Sequence, residues 1–180
     1  MVRAGIILYG LSPSEATYDE MLKPAMRLVS RISSVSEINE NDILICENGV
    51  YQISNAGELY WFAEYVNAGN TSANAVLTAD IVVNSGKVAE CNGTKGAGWK
   101  DWTPIGNNSN IYTGTFNGQN HTISGLYFND TNVNYVGLFG YTGTNAEIKN
   151  VGVINSFFSG KDKIGGICGE NSGTITNSTN

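Results

Sequence analysis

Three times in the second half of the chain an isoleucine is followed two positions later by Gly or Asn: Ile123 by Gly125, Ile148 by Asn150 and Ile175 by Asn177. Gly and Asn enter the left-handed backbone region at the lowest energy. A corner that needs positive φ at the same place in successive stretches is what a stack of similar coils demands, and an Asn there can hydrogen-bond to the Asn above it. A second recurrent block precedes each corner: Gly114-Thr-Phe116, Gly137-Leu-Phe139 and Gly166-Ile-Cys168, the second interval somewhat longer than the first. Gly118, Gly143 and Gly173 mark the turns between block and corner. Short strands joined by Gly and Asn turns at this period, with no helical periodicity, predict a β-solenoid whose coils bury an apolar column on their neighbours. That column is expected to hold Phe116, Phe139 and Cys168 together with Ile123, Ile148 and Ile175. A β-sandwich is the competing all-β reading, but it would space its strands at about 8–12 residues with no shared corner.

A solenoid needs its first coil covered, because an open strand edge invites pairing with another chain. Asn55-Ala-Gly-Glu58 reads as an N-cap with a capping-box acid, and Leu59, Phe62, Ala63 and Val66 then fall at helical spacing on one face. The spacing predicts a cap helix over about 55–67, ended by Gly69-Asn70, between a strand at Val50–Ile53 and a buried strand at Ala75–Val83, with coils filling about 76–180. Nothing comparable follows Ile175–Asn180, so either more coils or self-association through an open C-terminal edge is expected there. Residues 1–46 differ in character. Ser12-Pro13-Ser14-Glu15 starts a helix carrying Tyr18, Met21 and Leu22, which Pro24 interrupts before Met26, Val29 and Ile32 continue it. The division is therefore a helical appendage, 1–46, and a capped β domain, 47–180.

Chemistry is sparse. With 10 Lys and Arg against 16 Asp and Glu, the net charge of −6 repels phosphate backbones, and nucleic acid is not an expected partner. The longest apolar run, Gly5–Tyr9, is too short for membrane insertion, and no small-residue cleavage site follows it; as written, such a chain is cytoplasmic, unless it is cut from a longer protein. Cys46, Cys91 and Cys168 have no metal spacing, and the chain has a single histidine, His121. A Cys46–Cys91 disulfide competes with three unpaired thiols, the favoured reading, in which Cys168 packs as a small hydrophobe. The carboxylates Asp80, Asp101, Asp130, Glu147, Asp162 and Glu170 are scattered singly, and no phosphate-binding loop exists, so no catalytic residues, metal or cofactor are expected. Trp99 and Trp102, at the exit of the turn-rich loop 84–98, have two readings. Together with Tyr112 and Tyr127 they form an exposed ligand-binding platform for sugars, or the tryptophans plug the open edge of the core.

The ordered succession Tyr51–Leu59, Phe62-Ala63, Val66-Asn67, Leu77–Ile81, Trp102–Gly106, Gly114–Gly118, His121–Leu126 and Val136–Gly140 resembles the GLUG-motif proteins of bacterial surfaces. The resemblance covers about 47–180. It implies a right-handed parallel β-helix in a large secreted, adhesin-like protein. The role it implies is a non-catalytic extracellular or cell-surface module whose partners are host or bacterial glycans or proteins. The alternative is a carbohydrate-binding module or polysaccharide-active β-helix enzyme using the exposed aromatics. The motif also accompanies IgA-cleaving metallopeptidases, but no H-E-x-x-H helix is present here, so that chemistry does not transfer. Asn117 stands where the family has Asp, which argues against a metal at that turn, and residues 1–46 match nothing in the family.

Overall fold

The computed structural model describes residues 45–180; the helices expected between Ser12 and Ile32 lie outside the described residues. The first element is a hairpin. β1 (Ile45–Glu47) runs antiparallel to β2 (Val50–Ile53), and the intervening Asn48 and Gly49 both have positive φ, +51° and +79°, the backbone a two-residue hairpin turn requires. The boundary expected at residue 46 therefore falls inside β1.

Helix α1 (Ala56–Asn67) begins where the sequence places it. Asn55 accepts from the Glu58 backbone N–H at 3.0 Å, and the Glu58 carboxylate reaches back to the backbone N–H of Ser54 at 2.6 Å and to its hydroxyl at 2.9 Å. These bonds satisfy donors that the first turn leaves open. The stripe Leu59, Phe62, Ala63 and Val66 is fully buried, at roughly 1.5–3 kcal/mol for each large side chain. It rests on the strands below: Phe62 packs 6.3 Å from the Tyr112 ring and 6.1 Å from the Phe116 ring.

The rest of the described chain is mainly β. Eleven short strands follow: β3 (Asn74–Leu77), β4 (Ile81–Val82), β5 (Thr115–Asn117), β6 (Thr122–Ser124), β7 (Tyr127–Asn129), β8 (Phe139–Thr142), β9 (Glu147–Lys149), β10 (Gly152–Ile154), β11 (Phe157–Ser159), β12 (Cys168–Asn171) and β13 (Thr174–Thr176). The single strand expected at Ala75–Val83 is thus two, β3 and β4, broken at Thr78–Asp80 because its halves join different sheets. The strands make a six-stranded sheet in the order β1-β2-β3-β5-β9-β13, a three-stranded sheet β10-β6-β4, and two pairs, β11-β7 and β12-β8. Except for the hairpin, every strand pair among the described residues is parallel. Successive passes of the chain visit the four sheets in the same order, β5-β6-β7-β8 and then β9-β10-β11-β12.

Register corrects part of the sequence alignment. Phe139 pairs with Cys168 and Ile148 with Ile175, as aligned, but Phe116 pairs with Ile148 instead of lying over Phe139. Ile123 pairs with Val153, not with Ile148. The step from Gly114 to Gly137 therefore compares two strands of one pass, β5 and β8, which lie in different sheets. The two stretches look alike because each carries Gly-x-Phe, Gly114-Thr-Phe116 and Gly137-Leu-Phe139, and the two passes also differ in one link. Gly118–His121 joins β5 to β6, whereas only Asn150-Val151 joins β9 to β10, and Gln119 and Asn120 take up the excess at φ +50° and +67°. All six expected column residues still face the core: Phe116, Phe139, Ile123 and Ile148 are fully buried, and Cys168 and Ile175 are partly so.

Corners with positive φ do stack, in three places. Asn150 (+54°) and Asn177 (+48°) form one, where the Asn177 amide donates to Asn150 Oδ1 at 3.3 Å and the Asn150 amide donates to Asn117 Oδ1 at 3.1 Å. Gly125 (+78°), expected in that column, belongs to another: the Ser124–Ile154 pairing sets it against Asn155 (+45°). Tyr135 (+65°) and Lys163 (+59°) make the third, beside the Val136–Ile164 bridge, with the Lys163 ammonium 4.9 Å from the Tyr135 ring centre. Cys46, Cys91 and Cys168 are free thiols, so the Cys46–Cys91 bridge does not form; Cys168 packs against the core and donates to the Glu170 carbonyl at 3.0 Å.

Candidate functional site

The four aromatics expected to form a platform are mostly internal. Trp102 is 1% exposed, its indole N–H donates to the Gly137 carbonyl at 3.0 Å, and its ring lies 5.3 Å from that of Tyr60. Tyr112 is fully buried, its hydroxyl donates to the Ala73 carbonyl at 2.9 Å, and burial pushes its pKa well above the usual phenol value. Tyr127 is 4% exposed and donates to the Gly93 carbonyl at 2.8 Å. Only Trp99 is partly exposed, and its N–H bonds the Ser85 carbonyl at 3.0 Å while its ring leans on Tyr127 at 5.7 Å. Each polar tip is thus satisfied by backbone inside the fold, which is how a buried Trp or Tyr is accommodated. No shared exposed face is left for a ligand.

Trp99 and Tyr127 are held by the loop before Trp99, through the Ser85 and Gly93 carbonyls. Asn84 is 4% exposed; its amide N donates to the carbonyls of Lys100 at 2.9 Å and Gly125 at 2.8 Å, and its Oδ1 accepts from the Lys100 N–H at 2.8 Å. One side chain thereby ties both ends of the loop to the β6–β7 corner.

The carboxylates lie apart except Asp101 and Asp130, which line one recess. Asp80 accepts from the Thr122 backbone N–H at 2.7 Å, with His121 Nδ1 3.3 Å away, and these partners hold its carboxyl below the usual carboxylate range. Glu147 pairs with Lys149 at 3.1 Å within β9; Lys95 pairs with Asp101 at 2.6 Å, and Lys163 pairs with Glu170. Among the described residues no group of three or more His, Cys, Asp or Glu side chains could hold a metal ion.

One recess among the described residues is a cleft of about 500 Å³ between the segment Trp102–Asn107 and the turn from Phe128 to Tyr135. One wall is fixed by Asn67 at the end of α1. Its amide N donates to the Pro104 carbonyl at 3.0 Å, while its Oδ1 accepts from the Gly106 N–H at 2.9 Å and the Asn107 amide at 3.3 Å. The opposite wall is braced by Asp130, whose Oδ1 accepts from the Asn132 backbone N–H at 2.9 Å and side-chain amide at 3.2 Å. Phe128, Asn129 and Val133 complete that wall, and among the described residues no Lys or Arg lines the cleft.

No family model matches the chain, and no solved structure matches it. Two curated proteins are similar to it over part of its length. A stretch of 83 residues, 44% of the chain, is 35% identical to a Gly-rich membrane protein of Evansella cellulosilytica, and 104 residues, 57% of the chain, are 36% identical to halomucin of Haloquadratum walsbyi. The chain spans 10% of the first and 1% of the second. No helix among the described residues is long and apolar enough to cross a membrane.

The sequence left this cleft unmarked. Trp102 is its single aromatic from the expected platform, and it contributes floor rather than wall. The Asn129-Asp-Thr-Asn132 run was the available signal, since Asx residues at that density build a rigid turn.

Proposed function

We propose that residues 45–180 form a capped, right-handed parallel β-helix of the GLUG type, and that it serves as a non-catalytic structural or adhesive module of a large cell-surface protein. The observation that carries this reading is the parallel pairing of each pass on the next in all four sheets. Parallel neighbours joined by a crossover are right-handed in about 98% of cases, which supports the hand. Helix α1 closes the first pass with a fully buried stripe, as a capping element of a stacked array does. Asp80 and Glu147 pair singly with a backbone donor and a base, and of the two carboxylates that line the cleft Asp101 is held by Lys95 while Asp130 accepts from Asn132, which supports a role without catalysis.

The relatives support the location. One is named a membrane protein and the other a halomucin, and in each the similar stretch is a small part of a long chain. Antibodies raised against residues 45–180 are expected to label intact cells that make the protein. Labelling seen only after the cells are permeabilised would contradict a surface role.

A further inference from the structure

We propose that the cleft between Trp102–Asn107 and Phe128–Tyr135 binds an uncharged oligosaccharide. Its volume of about 500 Å³ lies within the roughly 300–1,000 Å³ of small-ligand sites. Both walls are fixed before any ligand arrives, one by the Asn67 clamp and the other by the Asp130–Asn132 turn, so little ordering opposes binding.

The lining has two kinds of surface in alternation. Phe128 is half-buried on the outward side of β7 and has no ring partner among the described residues, in contrast to Tyr127 beside it, which stacks on Phe157 at 5.7 Å. With Pro104 and Val133, the latter 37% exposed, Phe128 offers an apolar face of the kind that the C–H face of a sugar ring covers. Around it stand polar groups with no partner among the described residues: the Thr103 hydroxyl and the Asn134 amide, both on exposed residues, and Asp130 Oδ2, whose companion oxygen is already engaged. Hydroxyl, amide and carboxylate groups set around an aromatic face match a polyol that both donates and accepts.

Charge selects within that class. The cleft has Asp101 and Asp130 on its rim, the first of them already paired with Lys95 outside the cleft, and no cation on its walls among the described residues. A uronate, sulfate or phosphate group would therefore enter beside the Asp130 carboxylate, while the cations next to the lining, Lys95 at Asp101 and Lys163 at Tyr135, are already paired with Asp101 and Glu170. Neutral sugars meet no such penalty.

Calorimetric titration of the full 180-residue chain with maltohexaose, cellohexaose, mannohexaose, xylohexaose and chitohexaose, with hexagalacturonate as the acidic probe, tests this. At least one neutral hexasaccharide is expected to bind, and hexagalacturonate to bind at least about tenfold more weakly. Phe128→Ala and Asn134→Ala should each weaken the neutral ligand by about tenfold, while Trp99→Ala, outside the cleft, leaves affinity unchanged. Because Asn134 is exposed and bonds to nothing among the described residues, its variant keeps the test readable even if Phe128→Ala unfolds. No binding by any neutral probe at about 10 mM, a preference for the acidic probe, or affinity that survives the Asn134 substitution would overturn the proposal.

Discussion

Gly125→Ala is expected to lower stability by about 3 kcal/mol or more, measured as a drop in the urea midpoint at unchanged slope. Two effects combine at this corner. The residue sits at φ +78°, where an L side chain adds roughly 1 kcal/mol of backbone strain. An added Cβ would also lie 2.0 Å from the Asn84 carbonyl oxygen and 2.8 Å from its backbone nitrogen. That backbone cannot give way cheaply, since the Asn84 side chain holds Lys100 on one side and Gly125 itself on the other. Gly49→Ala separates the two effects, because Gly49 has nearly the same φ, +79°, with nothing within 4 Å of an added Cβ. It should lose only the strain, about 1 kcal/mol. Equal losses at the two positions would mean that the stacked corner is looser than described.

Trp102→Ala should cost about 3–5 kcal/mol, enough to leave a domain of ordinary stability marginal or unfolded. The side chain fills the space between Tyr60 and the strand entering at Gly137, and its removal leaves a cavity as well as a carbonyl without its donor. Trp102→Phe keeps much of the apolar volume but still orphans the Gly137 carbonyl, and a smaller loss of about 1–3 kcal/mol is expected. Urea unfolding followed by far-UV circular dichroism distinguishes the two variants. A Trp102→Ala chain as stable as the parent would contradict the internal role and restore the ring as a candidate ligand contact.

What the sequence disclosed followed the range of the interactions. Helix α1 was legible because Asn55, Glu58 and the Leu59–Val66 stripe act within a few residues of one another. That strands stack with left-handed corners was legible too, because Gly and Asn reveal the backbone they must adopt. Which corner meets which was not. Gly114-Thr-Phe116 and Gly137-Leu-Phe139 look alike although β5 and β8 lie in different sheets, and the Gly125–Asn155 corner appears only once β6 is paired with β10 in the next pass. Burial of Trp102 and Tyr112 was equally hidden, since their polar tips reach the distant carbonyls of Gly137 and Ala73 and their rings pack on Tyr60 and Phe62 of α1. The cleft escaped for the same reason: Asn67 reaches its wall at Pro104 and Gly106 from the far end of α1.

Cysteine cross-linking measures the stacking register itself. Ser124 and Ile154 are paired neighbours on parallel strands, outside the core, and adjacent strands lie about 4.8 Å apart, within the range a disulfide spans. Thr122 and Glu147, which the isoleucine alignment of the sequence would superpose, instead belong to different sheets, with Glu147 paired to Thr115 and Thr174. Under mild oxidation, with the cross-link located by peptide mapping, Ser124→Cys/Ile154→Cys should close to a disulfide in the folded monomer and Thr122→Cys/Glu147→Cys should not. A cross-link in the second pair and none in the first would contradict the stacked parallel passes on which the whole account stands.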